Sequence, residues 1–541
     1  MERRKFLQHL GVGAGALLAA PNLLLPRGGG SNRMAGRDRF DPDLEIALKA
    51  TPAETPIFPG QPTRVWQFQG EVLQGDPKNL QTLENSYLGP VFRVRKGQKI
   101  RIHFTNDIPE ESIVHWHGLH VPAVMDGHPR FVIPRGQTYV YEFEVVNRGG
   151  TYWYHPHPHG RTGPQVYYGM AGFFLVSDDE EASLPLPKGD YDIPLVIQDR
   201  TFDANNQLVY LGGGRRMGGM MGRMQGFIGD QILVNGRPDF SLSVATRAYR
   251  LRLLNGSNSR IYKLAWNDGT PVTVIGTDGG LLDKPIHKDY VVLGPAQRLD
   301  VWADFRDRPV GTQITLRSLE FSGAMAGNMM EGGMMGRGMM GRGGRRRGMM
   351  GGNGSLPNGA HFPVMTVSVD RQENETLQLP ARLTPIPRHN LADAVNRNNP
   401  RTFSMLMRHM TWTINGRTFE MTNVANDEIV RLNTLEVWEL VNAGRGMGRG
   451  MMGMAMPHPI HLHGQQFQVL ERSFDPAFTE DWLTLKDGVI DEGWQDVTML
   501  FPGQKVRILR EFADYEGLFL YHCHNLEHED MGMMRNFLVK A

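Results

Sequence analysis

The sequence predicts an all-β fold made of three related β-sandwich domains. Apolar and polar residues alternate along much of the chain, Val, Ile and aromatic residues are frequent, and turn signals recur roughly every ten residues. A weak internal repeat gives the number of domains. "IPRGQTYVYEFEV" from Ile133, "LGPAQRLDVWADF" from Leu293 and "FPGQKVRILREF" from Phe501 share a turn, a Gln and an alternating strand. Each leads into a Gly-initiated strand, at Gly150, Gly311 and Gly517. The step from Gln to Gly is thirteen residues in the first and third copies and fourteen in the second.

At 541 residues the chain is too long for a single core. Two stretches rich in Pro and charge, "DDEEASLPLPKGD" from Asp178 and "LPARLTPIPRHN" from Leu379, separate the copies. The expected domains are 36–178, 190–378 and 388–541. Residues 1–35 read as an export signal and flexible N-terminus: Arg3 and Arg4 precede an apolar stretch, Leu10 to Leu25, too short to span a bilayer comfortably. The paired Arg followed by Phe-Leu resembles a twin-arginine signal, used to export folded proteins, and implies a periplasmic or otherwise exported protein. An uncleaved amphipathic anchor is the alternative. A formal net charge of +1 argues against general gripping of nucleic acid or acidic membranes, so neither a nucleic-acid partner nor stable membrane insertion is expected.

Four histidine clusters carry the chemistry: "HWHG" at His115, "HPHPHG" at His155, "HPIHLHG" at His458 and "HCHNLEHEDMGMM" at His522. In a strand, residues i and i+2 share a face and i+1 takes the other. His522 and His524 therefore point away from Cys523, and one tripeptide can serve two metal sites. Cys523 is the only cysteine of the chain, so an intrachain disulfide is impossible and a free thiol needs protection. Two imidazoles, a thiolate and a weak thioether make a blue-copper electron-transfer site; His458, Cys523, His528 and Met533 supply that set. The other imidazoles, with His159 set aside, form four pairs, two near each end of the chain. A cluster built where the first and third domains pack together is expected. Zinc is the rival metal, but the ligand set favours copper. The middle domain lacks histidines at the equivalent strand and reads as a spacer and support.

These four motifs resemble those of the three-domain multicopper oxidases, the laccase family, over nearly the whole chain after the signal. The resemblance implies cupredoxin-like Greek-key sandwiches and four copper ions: one type 1, one type 2 and a type 3 pair. By the same resemblance His458, Cys523, His528 and Met533 hold type 1 copper, and His115 and His461 hold type 2. His117, His155, His157, His463, His522 and His524 hold the type 3 pair. Asp126 and Glu529 match acids to which the family assigns proton delivery. Dioxygen is the implied acceptor, reduced to water by four one-electron transfers, and the protein is expected as a monomer. Trp116 and Trp153 read as packing residues.

The electron donor is read from methionine. The chain has 31 Met, clustered at Met217–Met224, Met325–Met350 and Met447–Met456. Thioether is a soft ligand for Cu(I), and the longest cluster, in an insertion from about residue 323 to 354, sits where the similar periplasmic cuprous oxidases carry a Met-rich insertion. Met329, Met330, Met334, Met335, Met339, Met340, Met454 and Met456 are the expected Cu(I)-collecting residues, with phenols or aromatic amines as secondary reductants. A general phenol-oxidising laccase and a noncatalytic periplasmic copper-binding protein are the alternatives. One departure stands out: four residues before His458, where the cuprous oxidases are expected to carry an acid, this chain has Met454. Arg345, Arg346 and Arg347 fit none of these roles.

Overall fold

Along the strand Lys99–Asn106, Ile100, Ile102, Phe104 and Asn106 are buried while the residues between them are not. This period of two is the alternation expected of a sheet with one face on a core. The structure, a computed structural model, describes residues 40–211, 222–322, 356–443 and 456–541. Every element below belongs to the unit Pro42–Ala541. The signal segment, and every methionine between Met325 and Met350, lie outside the described residues.

The strands form six sheets, two from each third of the chain. In the first third, Thr63–Gln74, Leu44–Thr55, Lys99–Asn106 and Thr138–Glu144 lie side by side in that order. The second sheet runs Leu80–Gln81, Val91–Arg95, Gly172–Ser177, Gly150–Pro156, Val114–His117. Side chains of both sheets, among them Ile102, Phe104, Phe92 and Trp116, share one apolar core.

The sequence repeat has a structural counterpart. Thr138–Glu144, Arg298–Asp304 and Gln504–Phe512 each pair antiparallel with a strand that is itself parallel to the opening strand of its sheet. The strand after each turn, Gly150–Pro156, Gln313–Ser318 or Gly517–Cys523, belongs to the other sheet of its pair. The quoted repeat is thus the crossing from one layer of a sandwich to the other.

Two expectations are modified. The strands Gly150–Pro156, Ala248–Asn255 and His458–Leu462 are buried along their whole length rather than alternating. They have a sandwich core on one face and a neighbouring sandwich on the other, so neither face meets water. The charged stretch at Asp178 is also more than a linker. It forms the short helix Asp179–Ser183, capped by the Asp178 carboxylate accepting from the Glu181 amide. Glu181 then accepts from Arg250 at 2.6 Å, beside Arg252 with Asp192 at 2.6 Å and Arg250 with Asp300 at 2.5 Å. All these partners are buried. No helix among the described residues is long and apolar enough to cross a membrane.

Removing one partner of such a network leaves buried charge uncompensated. Asp300→Ala, which strips Arg250 and the Thr151 hydroxyl of their acceptor, is expected to lower unfolding free energy by about 3–5 kcal/mol in denaturant titration.

Candidate metal centre

Strand register brings the histidine motifs together. Val114–His117 pairs antiparallel with Gly150–Pro156, setting His115 opposite His155. His458–Leu462 pairs with Gly517–Cys523, setting His461 opposite His522 and Ile460 opposite Cys523. His157, His463 and His524 follow just past their strand ends. Gly118 closes the first motif at φ +85°, a conformation that L side chains avoid; a Cβ there would also meet the Arg298 guanidinium at 2.9 Å.

Eight imidazoles, two from each motif, meet in one buried volume. Ligand atoms of His115, His117 and His461 lie within 4.8 Å of one another, as do those of His117, His155 and His524, and those of His157, His463 and His522. Nearly every ring has its second nitrogen occupied. His115 Nδ1 is 2.6 Å from the Asp126 carbonyl and His461 Nδ1 is 2.8 Å from the Asp496 carbonyl. His463 Nδ1 is 2.7 Å from the Asp126 carboxylate, and His117 Nε2 is 3.0 Å from the Asp496 carboxylate. His155 Nδ1 is 2.9 Å from the Pro156 carbonyl, and His522 Nδ1 is 3.2 Å from both the Cys523 carbonyl and Glu529.

These partners accept, so each of those nitrogens carries the proton and the opposite nitrogen keeps its lone pair. The lone pairs then face each other: His115 Nε2 to His461 Nε2 at 3.3 Å, His463 Nε2 to His522 Nε2 at 3.2 Å, and His117 Nδ1 to His155 Nε2 at 3.3 Å. Opposed lone pairs at that distance repel unless a cation lies between them. Burial, reinforced by neighbouring rings, holds His117, His155, His461, His463 and His524 well below the ordinary imidazole range, and burial pushes His157 down to about 3. These six rings are therefore neutral, as metal ligation requires. Both nitrogens of His524 lack any partner. The donor set fits a cluster of imidazole-bound metal ions.

A second site lies on the other face of Gly517–Cys523. Cys523 Sγ is 3.4 Å from His458 Nδ1 and 3.7 Å from His528 Nδ1, and the two nitrogens are 3.3 Å apart. The Asn525 side chain caps the helix Leu526–Asp530 that presents His528, and the Asn525 backbone N–H donates to the sulfur at 3.4 Å. Met533 is fully buried in the same apolar cluster as Cys523, and its carbonyl accepts from the Cys523 amide at 3.0 Å. Burial pushes the bare thiol up, so binding metal must displace its proton.

Several residues of the centre carried no sequence signal. Trp412 packs its ring 4.7 Å from His458 and 4.8 Å from His528. Its Nε1–H and His528 Nε2–H both donate to the Met224 carbonyl at 3.0 Å. Asp496 joins His117 and His461 to Arg298 of the middle sandwich, which donates at 2.7 and 2.5 Å. Glu527 accepts from Asn258, Ser259, Tyr210 and the Phe227 amide. The middle sandwich thus supplies part of the centre's support.

The two expected acids both touch the cluster. Burial pushes Asp126 up, partly opposed by His115. Burial also acts to raise Glu529, but His522 and His157 outweigh it and hold the carboxyl at about 2. His159 packs against Phe419 at 4.9 Å, away from the ligand groups. Trp116 lies within the first core, while Trp153 packs 4.3 Å from His155. Met456 is buried in the third core, and Met454 and the other expected Cu(I)-collecting methionines lie outside the described residues.

Two multicopper oxidase family models match residues 65–181 and 394–541. A laccase from Bacillus stratosphericus is 30% identical over 503 residues, covering 85% of this chain and 90% of its own. The chain belongs to the multicopper oxidases. The bilirubin oxidase of Albifimbria verrucaria is also 30% identical to this oxidase, over 83% of this chain and 71% of its own. The crystal structure of McoA multicopper oxidase from the hyperthermophile Aquifex aeolicus superposes with a TM-score of 0.73 at 34% identity, covering 93% of this chain and 97% of that one. The sheet pairs are accordingly cupredoxin-like β-sandwiches, and the oxidase is an enzyme with several copper sites.

Outer partners of metal-bound histidines typically govern affinity by ten- to a hundredfold. Asp496→Asn is expected to weaken copper retention by about that factor in competition with a chelator. Unchanged retention would leave Asp496 a packing role only.

Proposed function

We propose that this enzyme couples oxidation of a small, soft reductant, Cu(I) first, to reduction of dioxygen to water, with phenols and aromatic amines as secondary donors. In this reading the chain carries three cupredoxin domains, 36–178, 190–378 and 388–541, behind a twin-arginine export signal, and acts outside the cytoplasm. His458, Cys523, His528 and Met533 would hold type 1 copper; His115 and His461 type 2; His117, His155, His157, His463, His522 and His524 the type 3 pair. Bound copper supplies one-electron acceptance at the thiolate site and four-electron reduction of dioxygen at the histidine cluster.

The residues divide the remaining work. Cys523 shares its backbone with His522 and His524, so the thiolate site and the cluster are joined by a few covalent bonds. Trp412 and the Met224 carbonyl keep His528 oriented and water away from the sulfur. Glu529 and Asp126, in contact with the cluster rings, are placed to hold and move protons at the histidine cluster.

The observation that carries the choice of a small reductant is burial. His458 is 1% and His528 0% exposed, so no imidazole edge is open to a bulky aromatic donor. The methionines clustered in sequence at Met217–Met224 and Met325–Met350, within the middle domain, and at Met447–Met456, just before His458, supply soft ligands suited to Cu(I).

Deleting residues 325–350 is expected to cut the rate of oxygen uptake with Cu(I) at least several-fold and to leave the phenol rate equal or higher. An unchanged Cu(I) rate would sink the cuprous reading while leaving the family intact. Asp126→Asn is expected to slow turnover by about a hundred- to ten-thousandfold with the blue thiolate absorption preserved; loss of that absorption would make Asp126 structural.

A further inference from the structure

The two imidazoles that face Cys523 differ in what stands behind them. Each turns Nδ1 toward the sulfur, at 3.4 Å for His458 and 3.7 Å for His528, so the lone pair for a metal sits on Nδ1 and the proton on Nε2. His458 Nε2 has no partner among the described residues, whereas His528 Nε2–H donates to the Met224 carbonyl at 3.0 Å. That oxygen serves a second donor. The Trp412 indole Nε1–H reaches it at 3.0 Å as well, and Trp412, His528 and Met224 are all buried.

The fold delivers the indole to this place. Trp412 lies on the strand Thr411–Ile414, which turns back from Arg401–Arg408 through His409 and Met410, both in the left-handed region at φ +46° and +64°. Register sets Trp412 opposite Met407, with its ring 4.7 Å from His458 and 4.8 Å from His528. A carbonyl oxygen has two lone pairs, but two donors draw on one pool of electron density, so each bond is weaker than a single one would be. An acceptor behind a ligating imidazole raises its basicity. The indole therefore limits that gain at His528, and it sets the positive end of its N–H dipole beside the site, where low dielectric leaves it little screened.

We propose that Trp412 is a positioning residue that sets the reduction potential of the thiolate site by competing with His528 for the Met224 carbonyl. This rests on the reading in which His458, Cys523 and His528 hold type 1 copper. A less basic imidazole and a nearby positive dipole end both disfavour the more highly charged, oxidised ion, so the indole N–H raises the potential. Burial of the two imidazoles then selects electron donors by size, and the potential selects them by reducing strength.

The test keeps the ring and alters only its donor, by site-specific replacement of Trp412 in the copper-loaded, full-length enzyme. Benzothienylalanine, with sulfur in place of the indole N–H, is expected to lower the potential read by redox titration of the blue absorption. A fluorinated tryptophan, a stronger N–H donor of nearly the same size, is expected to raise it. An unmoved potential in either analogue, or shifts of the same sign in both, overturns the proposal. Trp412→Phe separates donor from packing: if it lowers the potential while benzothienylalanine does not, the ring acts by excluding water and the competition is refuted. If one analogue fails to take up copper, the sign of the other decides. A wild-type enzyme without the blue absorption overturns the type 1 reading and this proposal with it, whereas a blue enzyme with an unmoved potential overturns this proposal alone.

Discussion

Eight imidazoles share one buried volume, and six of them have their outer nitrogen fixed by an acceptor. That constraint orders the rest of the molecule. Each ring that must offer a lone pair inward needs an acceptor behind it, and the acceptors are the Asp126 and Asp496 carbonyls and carboxylates, the Pro156 and Cys523 carbonyls, and Glu529. Asp126 and Asp496 do this in parallel, one for His115 and His463, the other for His117 and His461. Each acid therefore ties a ring of the first sandwich to a ring of the third.

The middle sandwich carries none of the four histidine motifs, yet it helps to fix these acceptors. Arg298 clamps Asp496, and Asp278 accepts from the Asp496 and Val497 amides. Asn258 and Ser259 fix Glu527 on the same short helix as His528. A lone carboxylate at Asp496 would be costly to bury; paired with a bidentate guanidinium it becomes a rigid acceptor. Support and chemistry are thus distributed over all three sandwiches, although the ligands come from two.

Much of this was legible from local pattern. The alternation of His522, Cys523 and His524 between strand faces needs only the pleat of a strand, and the repeat around Gln137, Gln297 and Gln504 marked three related sandwiches. Trp412, Asp496, Arg298 and Glu527 were not legible. Their partners are distant in sequence: His117 and Asp496 are 379 residues apart, and Arg298 and Asp496 are 198. An isolated Asp or Trp carries no mark of such a partner. The linker at Asp178 was misjudged for the same reason, because Glu181 meets Arg250 only after the first two sandwiches pack.

The sequence by itself determined the all-β class, the repeat and the full inventory of sulfur and imidazole donors, because these depend on residue type and on short-range spacing. Only the tertiary structure decided which nitrogen of most rings faces inward, which acids hold it there, and that His458 and His528 lie behind Trp412 and the Met224 carbonyl. Tautomer, burial and pairing are set by contacts between strands far apart in the chain, and they exist only once the three sandwiches have closed on one another.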